Sequence, residues 1–217
     1  MKYIAEGLGT FFLVAVVIGS GIMAENLASG NDAIALLGNT IATGAILFVI
    51  IKMFAPISGA HFNPIVSFVF FLRKELSHKR LLLYVLVQVG SGLLAVLIVH
   101  YIFQIDIFQI STHSMRVANA PCSLMVSEII ATFGLIATIL FIRKNDKNSI
   151  AIGVALFITA GYWFTSSTSF ANPAVTIARI FSDTFTGISP YSVPYFLSGQ
   201  LIGGLLIHYL FNIFDEK

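Results

Sequence analysis

Two Asn-Pro dipeptides interrupt long apolar runs of the chain, one within SGAHFNPIVSFVFF and the other within TSFANPAVTIARIF. Asn is favoured immediately before the first turn of a helix, and Pro is favoured at its first position. Each dipeptide therefore predicts that a helix begins inside an apolar region. The first helix is expected to run from Asn63 to about Phe71, and the second from Asn172 to about Asp183.

The chain as a whole is too apolar for a water-soluble domain. Of its 217 residues, 57% are hydrophobic and 10% are charged, and the mean hydropathy is +0.92. Soluble domains carry about 25% charged residues, so an integral membrane protein is expected. A single cysteine, Cys122, excludes an intrachain disulfide. The first apolar segment contains Glu6 and has no convincing cleavage site, so it is interpreted as a retained span rather than a signal peptide.

Six apolar stretches are long enough to cross a bilayer, whose hydrocarbon core needs about 20 helical residues. They lie near residues 3–24, 33–54, 81–103, 123–142, 149–165 and 193–214. An even number of spans places both termini on the same side of the membrane.

The Asn-Pro segments have an alternative interpretation, in which they are two kinked helices without a lumen.

Basic residues in the connecting segments concentrate on the side of the termini: Lys2, Arg73, Lys74, Lys79, Arg80, Arg143, Lys144, Lys147 and Lys217. The opposite loops offer Arg116 and, depending on where its side chain lies, Arg179. Because cytoplasmic loops are rich in Lys and Arg, both termini are expected in the cytoplasm.

The two halves of the chain resemble each other. YIAEGLGTFFL is echoed by MVSEIIATFGL, and YVLVQVGSGLLA by FLSGQLIGGLLI, which aligns Gln88 with Gln200. With three spans per half, the second half is inserted upside down relative to the first, as in several transport folds. The alternative is a chance similarity between helices rich in leucine and glycine. We expect one domain over residues 1–217, with inverted repeats at about 1–110 and 120–217.

This inverted symmetry predicts how the two short helices meet. They should enter from opposite faces, each covering about half of the hydrocarbon core, with their N-termini abutting near the midplane. A helix N-terminus carries about half a positive charge, so the midplane should repel cations, hydronium included. The side-chain oxygens of Asn63 and Asn172 can cap these helices and leave NH2 donors for a lumen. The polar run TSSTS favours a water-filled path, where irregular backbone is tolerated at membrane depth.

In order and spacing, AEGLGTF, SGAHFNP, SEIIATF and FANPA resemble the aquaporins of the major intrinsic protein family, over essentially the whole chain. The resemblance implies an all-α membrane protein of six transmembrane helices plus two re-entrant half-helices. It implies a homotetramer in the lipid bilayer with one pore per protomer, without a cofactor, a metal or a nucleic-acid partner. It assigns the pore centre to Asn63, Pro64, Ile65, Asn172, Pro173 and Ala174.

Other residues take expected roles from the same resemblance. Glu6 and Glu128 should brace the backbone of the half-helix loops, a structural role favoured over a proton relay. His61 is expected at the cytoplasmic pore entrance, where packing and hydrogen bonding are favoured over a pH-responsive role. Ile65 replaces the usual Ala of the first motif and should form a bulkier apolar wall near the midplane.

The selectivity filter is where the sequence departs from the family. Members usually place Arg directly after the second Asn-Pro-Ala, and Val175 stands there in this chain. Spacing from the motifs assigns the other filter positions to Thr43, Ala160 and Ser169, with Gly161 as the alternative to Ala160. This set has no large side chain and no charge. A wide neutral opening is therefore expected, with the cation barrier left mainly to the helix ends.

The nearest positive charge is Arg179, one helical turn beyond Val175 and about 6 Å further toward the outside on the helical rise. It is expected to line the outer vestibule or to pair with Asp183, four residues further on. The two roles can coexist.

NPAVTIARIFSDTFTGI resembles in particular the divergent bacterial aquaporins associated with arsenic-resistance operons, the aquaporin S type. That resemblance implies a passive channel for water and small neutral solutes, such as glycerol-like polyols and arsenite-type hydroxylated metalloids, in the bacterial inner (plasma) membrane. A water-dominant aquaporin is the near alternative. A secondary transporter is more remote, although inverted repeats and broken helices occur there too. An enzyme is not expected, because the sequence offers no nucleophile–base pair or metal-ligand cluster.

Overall fold

The computed structural model describes residues 1–113 and 121–215, and the regular structure within them is helical. Its α-helices are α1 Lys2–Leu27, α2 Asp32–Ser58, α3 Pro64–Leu72, α4 His78–Ile102, α5 Pro121–Asn145, α6 Ile150–Phe164, α7 Pro173–Arg179 and α8 Val193–Asp215. Short 3-10 turns at Lys147–Ser149 and Pro190–Ser192 precede α6 and α8. The predicted loop charges Arg116 and Lys217 lie outside the described residues.

The predicted all-α architecture of long spans and two short helices is confirmed. Within the described ranges, five helices are long and apolar enough to cross a membrane, namely α1, α2, α4, α5 and α8. The remaining predicted span is α6, which has 15 residues and a length of about 22 Å on the usual helical rise. The short helices α3 and α7 begin at the two Asn-Pro dipeptides.

The chain turns back into the protein after α2. Asn31 caps the start of this helix by accepting hydrogen bonds from the N–H groups of Ala33 and Ile34, at 3.1 and 3.2 Å. At the other end, Gly59 adopts a φ of 95° and donates its N–H to the carbonyl of Ala55. Glycine tolerates this left-handed conformation without a steric penalty. The segment that follows can therefore reverse direction and lead to α3.

Helix α7 is shorter than predicted, since it ends at Arg179 rather than near Asp183. Its last carbonyls bond to other segments. The N–H of Ile188 donates to the carbonyl of Arg179 at 3.2 Å, and the N–H of Ser111 donates to that of Ile180 at 2.7 Å. The chain leaves the helix to make these contacts, so the second short helix has a length of about 10 Å on the usual rise.

The two halves interlock around the short helices. In the first half α1 packs on α2 and α4, and in the second half α5 packs on α6 and α8. Helices α3 and α7 each contact α4 and α8, and they also contact each other. Both short helices are thus surrounded by long helices of both halves.

The exposure pattern is that of a protein embedded in lipid. Large apolar side chains on the outer helix faces are half or more exposed, including Ile4 at 61%, Leu86 at 59%, Leu156 at 61% and Leu206 at 50%. Inside, by contrast, the carboxylates of Glu6 and Glu128 are fully buried. Apolar groups outside and polar groups inside are stable when the surroundings are hydrocarbon. The chain is an integral membrane protein.

One face of the helix bundle gathers the polar ends of several segments, and we call it the terminal face. Here Arg143 donates to the Glu75 carboxylate at 2.5 Å, and Arg73 donates to the Asn212 side chain at 3.4 Å. Lys144 donates to the backbone carbonyl of Phe214 at 3.3 Å. These contacts join the α3–α4 connection, the C-terminal end of α5 and the C-terminal end of α8.

Candidate functional site

Each short helix is capped by the asparagine that precedes it. The side-chain oxygen of Asn63 accepts a hydrogen bond from the N–H of Ile65 at 3.0 Å. That of Asn172 accepts from the N–H groups of Ala174 and Val175, at 3.0 and 3.4 Å. Both asparagines have extended backbones, and proline follows at the first helical position. The sequence predicts this capping directly.

The two capping side chains also join the loops to each other. The Nδ2 group of Asn63 donates to the carbonyl oxygen of Ala171 at 2.7 Å, and that of Asn172 donates to the carbonyl oxygen of Phe62 at 2.9 Å. Because an amide NH2 carries two hydrogens, each asparagine keeps one further donor. The prediction left both hydrogens for a lumen, whereas the structure commits one of each pair to the opposite loop.

The loops before the asparagines have matching strained backbones. Residues three and one before Asn63 are Ala60 and Phe62, with φ of 52° and 49°. The corresponding residues before Asn172 are Ser169 and Ala171, with φ of 54° and 47°. Left-handed conformations of non-glycine residues cost on the order of 1–3 kcal/mol each and persist only when their surroundings hold them. The sequence gives no signal for them, because none of these residues is glycine.

Glu6 supplies part of that restraint in the first half. Its carboxylate accepts hydrogen bonds from the backbone N–H groups of His61 and Phe62, at 2.9 and 2.7 Å. It also accepts from the hydroxyl of Ser58 at 2.6 Å and from the side-chain amide of Gln88 at 2.9 Å. A carboxylate on α1 is thereby tied to the loop and to α4.

Glu128 makes the same set of contacts in the second half. It accepts from the backbone N–H groups of Phe170 and Ala171, at 3.0 and 2.8 Å. The hydroxyl of Ser167 and the side-chain amide of Gln200 donate to it at 2.5 and 2.6 Å. This geometry is that of loop bracing.

The sequence reasoning missed two hydroxyl residues that extend these networks to the short helices. Gln88 also donates to the hydroxyl of Ser67 at 3.2 Å, and Gln200 donates to that of Thr176 at 2.9 Å. Ser67 and Thr176 each lie four residues after the capping asparagine. That equal spacing of a hydroxyl in both repeats was the available signal.

A continuous cavity of about 550 Å³ passes between the helices and reaches both asparagines. Its polar lining changes along its length. Charged residues line it at the terminal face: Lys52, Glu75, Arg80, Arg143 and Lys147. His61, Asn63 and Asn172 line the middle, and Thr43, Tyr162, Ser169, Val175 and Arg179 line the far end. Most of the other lining residues are apolar, so the path is a mainly apolar passage with polar groups at distinct levels.

His61 lies between the terminal-face charges and Asn63. Its Nδ1 is 3.0 Å from the hydroxyl of Ser67, and its ring centroid is 4.7 Å from that of Phe70 and 5.5 Å from that of Tyr84. The side chain is therefore packed as well as hydrogen-bonded. It faces the cavity at the level where the sequence predicts an entrance.

Four of the six residues predicted at the pore centre, Pro64, Ile65, Pro173 and Ala174, do not line the cavity. The expected wall at Ile65 is wrong, because this side chain is 4% exposed and packs into a core cluster against α8. A Cβ added at Gly204 would lie 2.8 Å from its Cγ1 atom. Phe62, Val66 and Val175 form the apolar wall beside the asparagines instead.

The assignment of Ala160 to the filter is also wrong. Its side chain is exposed on the outer face of α6. Gly161, the alternative, packs against Ser169, since a Cβ at Gly161 would lie 2.5 Å from the Ser169 hydroxyl oxygen. Tyr162 is the residue of α6 that lines the far end, and its hydroxyl lies 3.1 Å from that of Thr43.

Helical periodicity would have found Tyr162. Val154, Ile158 and Tyr162 follow one another at four-residue intervals on α6, and all three line the cavity. Residues at this spacing share a helix face. The opening therefore contains a large aromatic side chain, contrary to the expected set of small residues.

Arg179, which the sequence places at the outer vestibule or in a pair with Asp183, lines the far end of the cavity. It is 4% exposed and contributes both to the main cavity and to a second cavity of about 30 Å³ that Thr168 and Thr186 also line. Its guanidinium carbon is 3.5 Å from the ring centroid of Phe170, and its Nε donates to the carbonyl of Thr186. The side chain thus lines both cavities.

The other predicted role of Arg179 is an ion pair with Asp183, but the hydrogen bonds of Asp183 go to Thr112 and Gln109. Its carboxylate accepts from the backbone N–H and the hydroxyl of Thr112, at 2.8 and 3.1 Å. Its own N–H donates to the side chain of Gln109 at 2.8 Å. Among the described residues, Asp183 joins two loops and Arg179 faces the cavities.

Comparison with known proteins adds sequence and fold relationships. The sequence model of the family described as "Major intrinsic protein" matches residues 1–159. The chain is 46% identical over 204 residues to "Aquaglyceroporin AqpS" of Rhizobium meliloti (strain 1021), covering 94% of this chain and 85% of that protein. It is 31% identical to "Aquaporin TIP1-1" of Arabidopsis thaliana, covering 97% of this chain and 85% of that protein. The X-ray structure of the aquaglyceroporin from Plasmodium falciparum shares the fold, with a TM-score of 0.74, 21% identity, and coverage of 97% of this chain and 94% of that chain.

Proposed function

Because this chain belongs to the major intrinsic protein family and is a channel for water and small glycerol-like solutes, we propose that the permeating molecules pass through the cavity described above. The observation that carries the proposal is continuity. One cavity contacts the charged terminal face, both capping asparagines and the Tyr162–Thr43 pair. A solute that moves along this cavity passes both asparagines while it remains inside one cavity.

The middle of the cavity suits molecules that carry hydroxyl groups. Asn63 and Asn172 each retain one N–H donor, and Val66 and Val175 offer apolar surface nearby. The oxygens of a polyol can accept hydrogen bonds from the two asparagines, and its carbon–hydrogen groups can contact the two valines. The helix N-termini beside the asparagines add positive potential that disfavours cations.

The proposed filter consists of the residues at the far end of the cavity: Thr43, Tyr162, Ser169, Val175 and Arg179. Water, glycerol-like polyols and arsenite-type hydroxylated metalloids are the proposed solutes. Arsenous acid belongs to this class because it is uncharged near neutral pH and presents hydroxyl groups as glycerol does. Passive movement down a concentration gradient requires no cofactor.

The remaining proposals concern assembly and membrane placement. The chain is proposed to form one channel domain of two inverted repeats, with a separate pathway in each protomer of a homotetramer. Matching carboxylate networks at Glu6 and Glu128 support the repeat. The membrane is proposed to be a bacterial plasma membrane. Both termini are proposed to be cytoplasmic, because Lys and Arg concentrate on the terminal face.

Swelling of proteoliposomes in water, glycerol, urea and arsenite gradients tests the function, with Val175→Arg as the filter variant and Val175→Ile as its matched control. The wild-type protein should accelerate swelling over protein-free liposomes. Val175→Arg should lose glycerol and arsenite flux more than water flux, because it adds a long side chain beside Arg179. Equal swelling with and without protein would overturn the channel. Accumulation driven by a proton gradient would indicate a coupled transporter instead.

A further inference from the structure

At the far end of the cavity, the buried guanidinium of Arg179 has N–H donors that form no hydrogen bond with the described residues. Within the described residues, Arg179 has one hydrogen bond, from Nε to the carbonyl of Thr186. A guanidinium carries five N–H donors. Its two NH2 groups therefore retain hydrogen-bonding capacity, and the side chain lines both the main cavity and the second, smaller one.

Two contacts fix the direction of this guanidinium. Phe170 lies flat against it, with 3.5 Å between the guanidinium carbon and the ring centroid, and the Thr186 carbonyl holds its Nε. Phe170 is itself held, because its N–H donates to Glu128 at 3.0 Å and its ring packs against that of Phe196 at 4.7 Å. The carboxylate that braces the loop thus also sets the platform for the arginine.

A second polar atom at this level is unpartnered. The hydroxyl oxygen of Ser169 is buried, and no described residue forms a hydrogen bond with it. Ser169 is 2% exposed and lines the same end of the cavity as Arg179 and Tyr162. A buried hydroxyl without a partner is costly, and this one is turned toward Gly161, where an added Cβ would lie 2.5 Å from it.

We infer that Arg179 is the charged specificity-determining residue of this channel, acting from the last turn of α7 in place of the arginine that Val175 does not supply. Its free NH2 groups donate to an oxygen of the passing solute, while the Tyr162–Thr43 pair contacts the solute from another side. Its charge repels cations at the same point. Phe170 is a positioning residue. The inference rests on the proposed pathway through the cavity.

A purely structural role for Arg179 would be to tie the segment around Thr186 to α7. The two roles predict different results when the positive charge is moved from position 179 to position 175. A structural tie depends on the side chain at position 179, whereas a charge barrier depends on a cation near the constriction. Position 175 lies one turn earlier on the same helix and lines the same end of the cavity.

The test compares Arg179→Gln, Arg179→Lys and the double variant Arg179→Ala/Val175→Arg in proteoliposomes. Two quantities are measured, the leak of protons and sodium ions and the ratio of glycerol to water permeability. We expect Arg179→Gln to raise the cation leak by about tenfold or more, because a unit charge is lost from a low-dielectric constriction. The permeability ratio should also rise. Arg179→Lys should keep the leak low, and the double variant should return it toward the wild-type value.

An unchanged leak and an unchanged permeability ratio in folded Arg179→Gln would overturn the inference while leaving the channel function intact. Failure of the double variant to lower the leak below that of Arg179→Gln would assign Arg179 a structural role. If Arg179→Gln does not fold, Phe170→Leu provides the second measurement. Loss of the flat ring should raise the leak with Arg179 present, and a leak equal to wild type would count against the inference. An inactive wild-type protein would instead overturn the proposed function.

Discussion

The side-chain amide of Asn63 donates to the carbonyl of Ala171 at 2.7 Å, so the cap of one short helix completes the loop before the other. Asn172 returns the contact to Phe62 at 2.9 Å. Each asparagine therefore has three tasks: its oxygen caps a helix, one hydrogen bonds the opposite loop, and the other hydrogen is left for the cavity. A change at either residue affects both halves.

Replacing Asn172 by Asp tests this exchange. The carboxylate can still cap α7, but it turns an acceptor toward the Phe62 carbonyl in place of a donor. We expect a loss of about 2 kcal/mol in the free energy of unfolding, the usual cost of a lost buried hydrogen bond with an unsatisfied group. Thermal unfolding of the purified protein measures it, with Asn145→Asp at an exposed site as the control. Equal melting temperatures for the two variants would contradict the proposed exchange.

The carboxylates that brace the loops should be sensitive to an isosteric amide. The N–H groups of Phe170 and Ala171 bond to different oxygens of Glu128, so in Glu128→Gln one of them faces an NH2 group and loses its acceptor. We expect about 1–3 kcal/mol of destabilisation, together with reduced solute flux. Glu6→Gln should behave in the same way. Asp106→Asn, at an exposed position, should leave stability and swelling rates unchanged, and a similar loss there would argue against bracing.

The hydroxyl pair at the far end makes a coupled prediction. Tyr162→Phe and Thr43→Val each remove one side of a 3.1 Å contact between α6 and α2. Each variant should raise glycerol permeability about two- to fivefold, because the constriction loses a restraint, and the double variant should not exceed the larger single effect. Thr138→Val is the control, since Thr138 bonds within its own helix. Additive effects in the double variant would show that the two hydroxyls act separately.

The packing of Ile65 against Gly204 gives a prediction about stability alone. Gly204→Ala would place a Cβ 2.8 Å from the Ile65 Cγ1 atom and should cost about 1–3 kcal/mol from overpacking. Combining it with Ile65→Ala should relieve most of that overpacking cost, and a double-mutant cycle of melting temperatures measures the resulting coupling. Gly90→Ala is a matched control, because nothing lies within 4 Å of its added Cβ. Destabilisation of Gly90→Ala by the same amount would point to a general effect of the helix.

How much of this site the sequence can predict depends on the range of the interactions involved. The capping by Asn63 and Asn172 is local, and it follows from two adjacent residues. The side-chain contacts of Arg179 depend on Phe170 and Thr186, which belong to segments on either side of α7. Counting residues along α7 therefore does not predict the direction of the Arg179 side chain.

Two further differences arise from tertiary structure. Spacing from the second motif predicts Ala160 in the filter, but the count crosses an irregular loop with left-handed residues. Counting residues does not describe the path of such a loop. The motif predicts Ile65 in the pore because it replaces the usual Ala of Asn-Pro-Ala, but rotation along α3 turns its side chain toward Gly204. Sequence patterns locate such elements well, whereas the direction of single side chains depends on packing between helices.

The exchange between the two loops also has a consequence for the order of events during synthesis. Ala171 follows Asn63 by 108 residues, so the first loop leaves the ribosome long before its acceptor exists. Until then, the Asn63 amide and the Phe62 carbonyl require water, because unpaired polar groups in hydrocarbon cost several kcal/mol each. The first re-entrant segment must therefore stay hydrated while translation continues. We expect it to reach its final depth only after the second half has entered the membrane and supplied the missing hydrogen-bond partners.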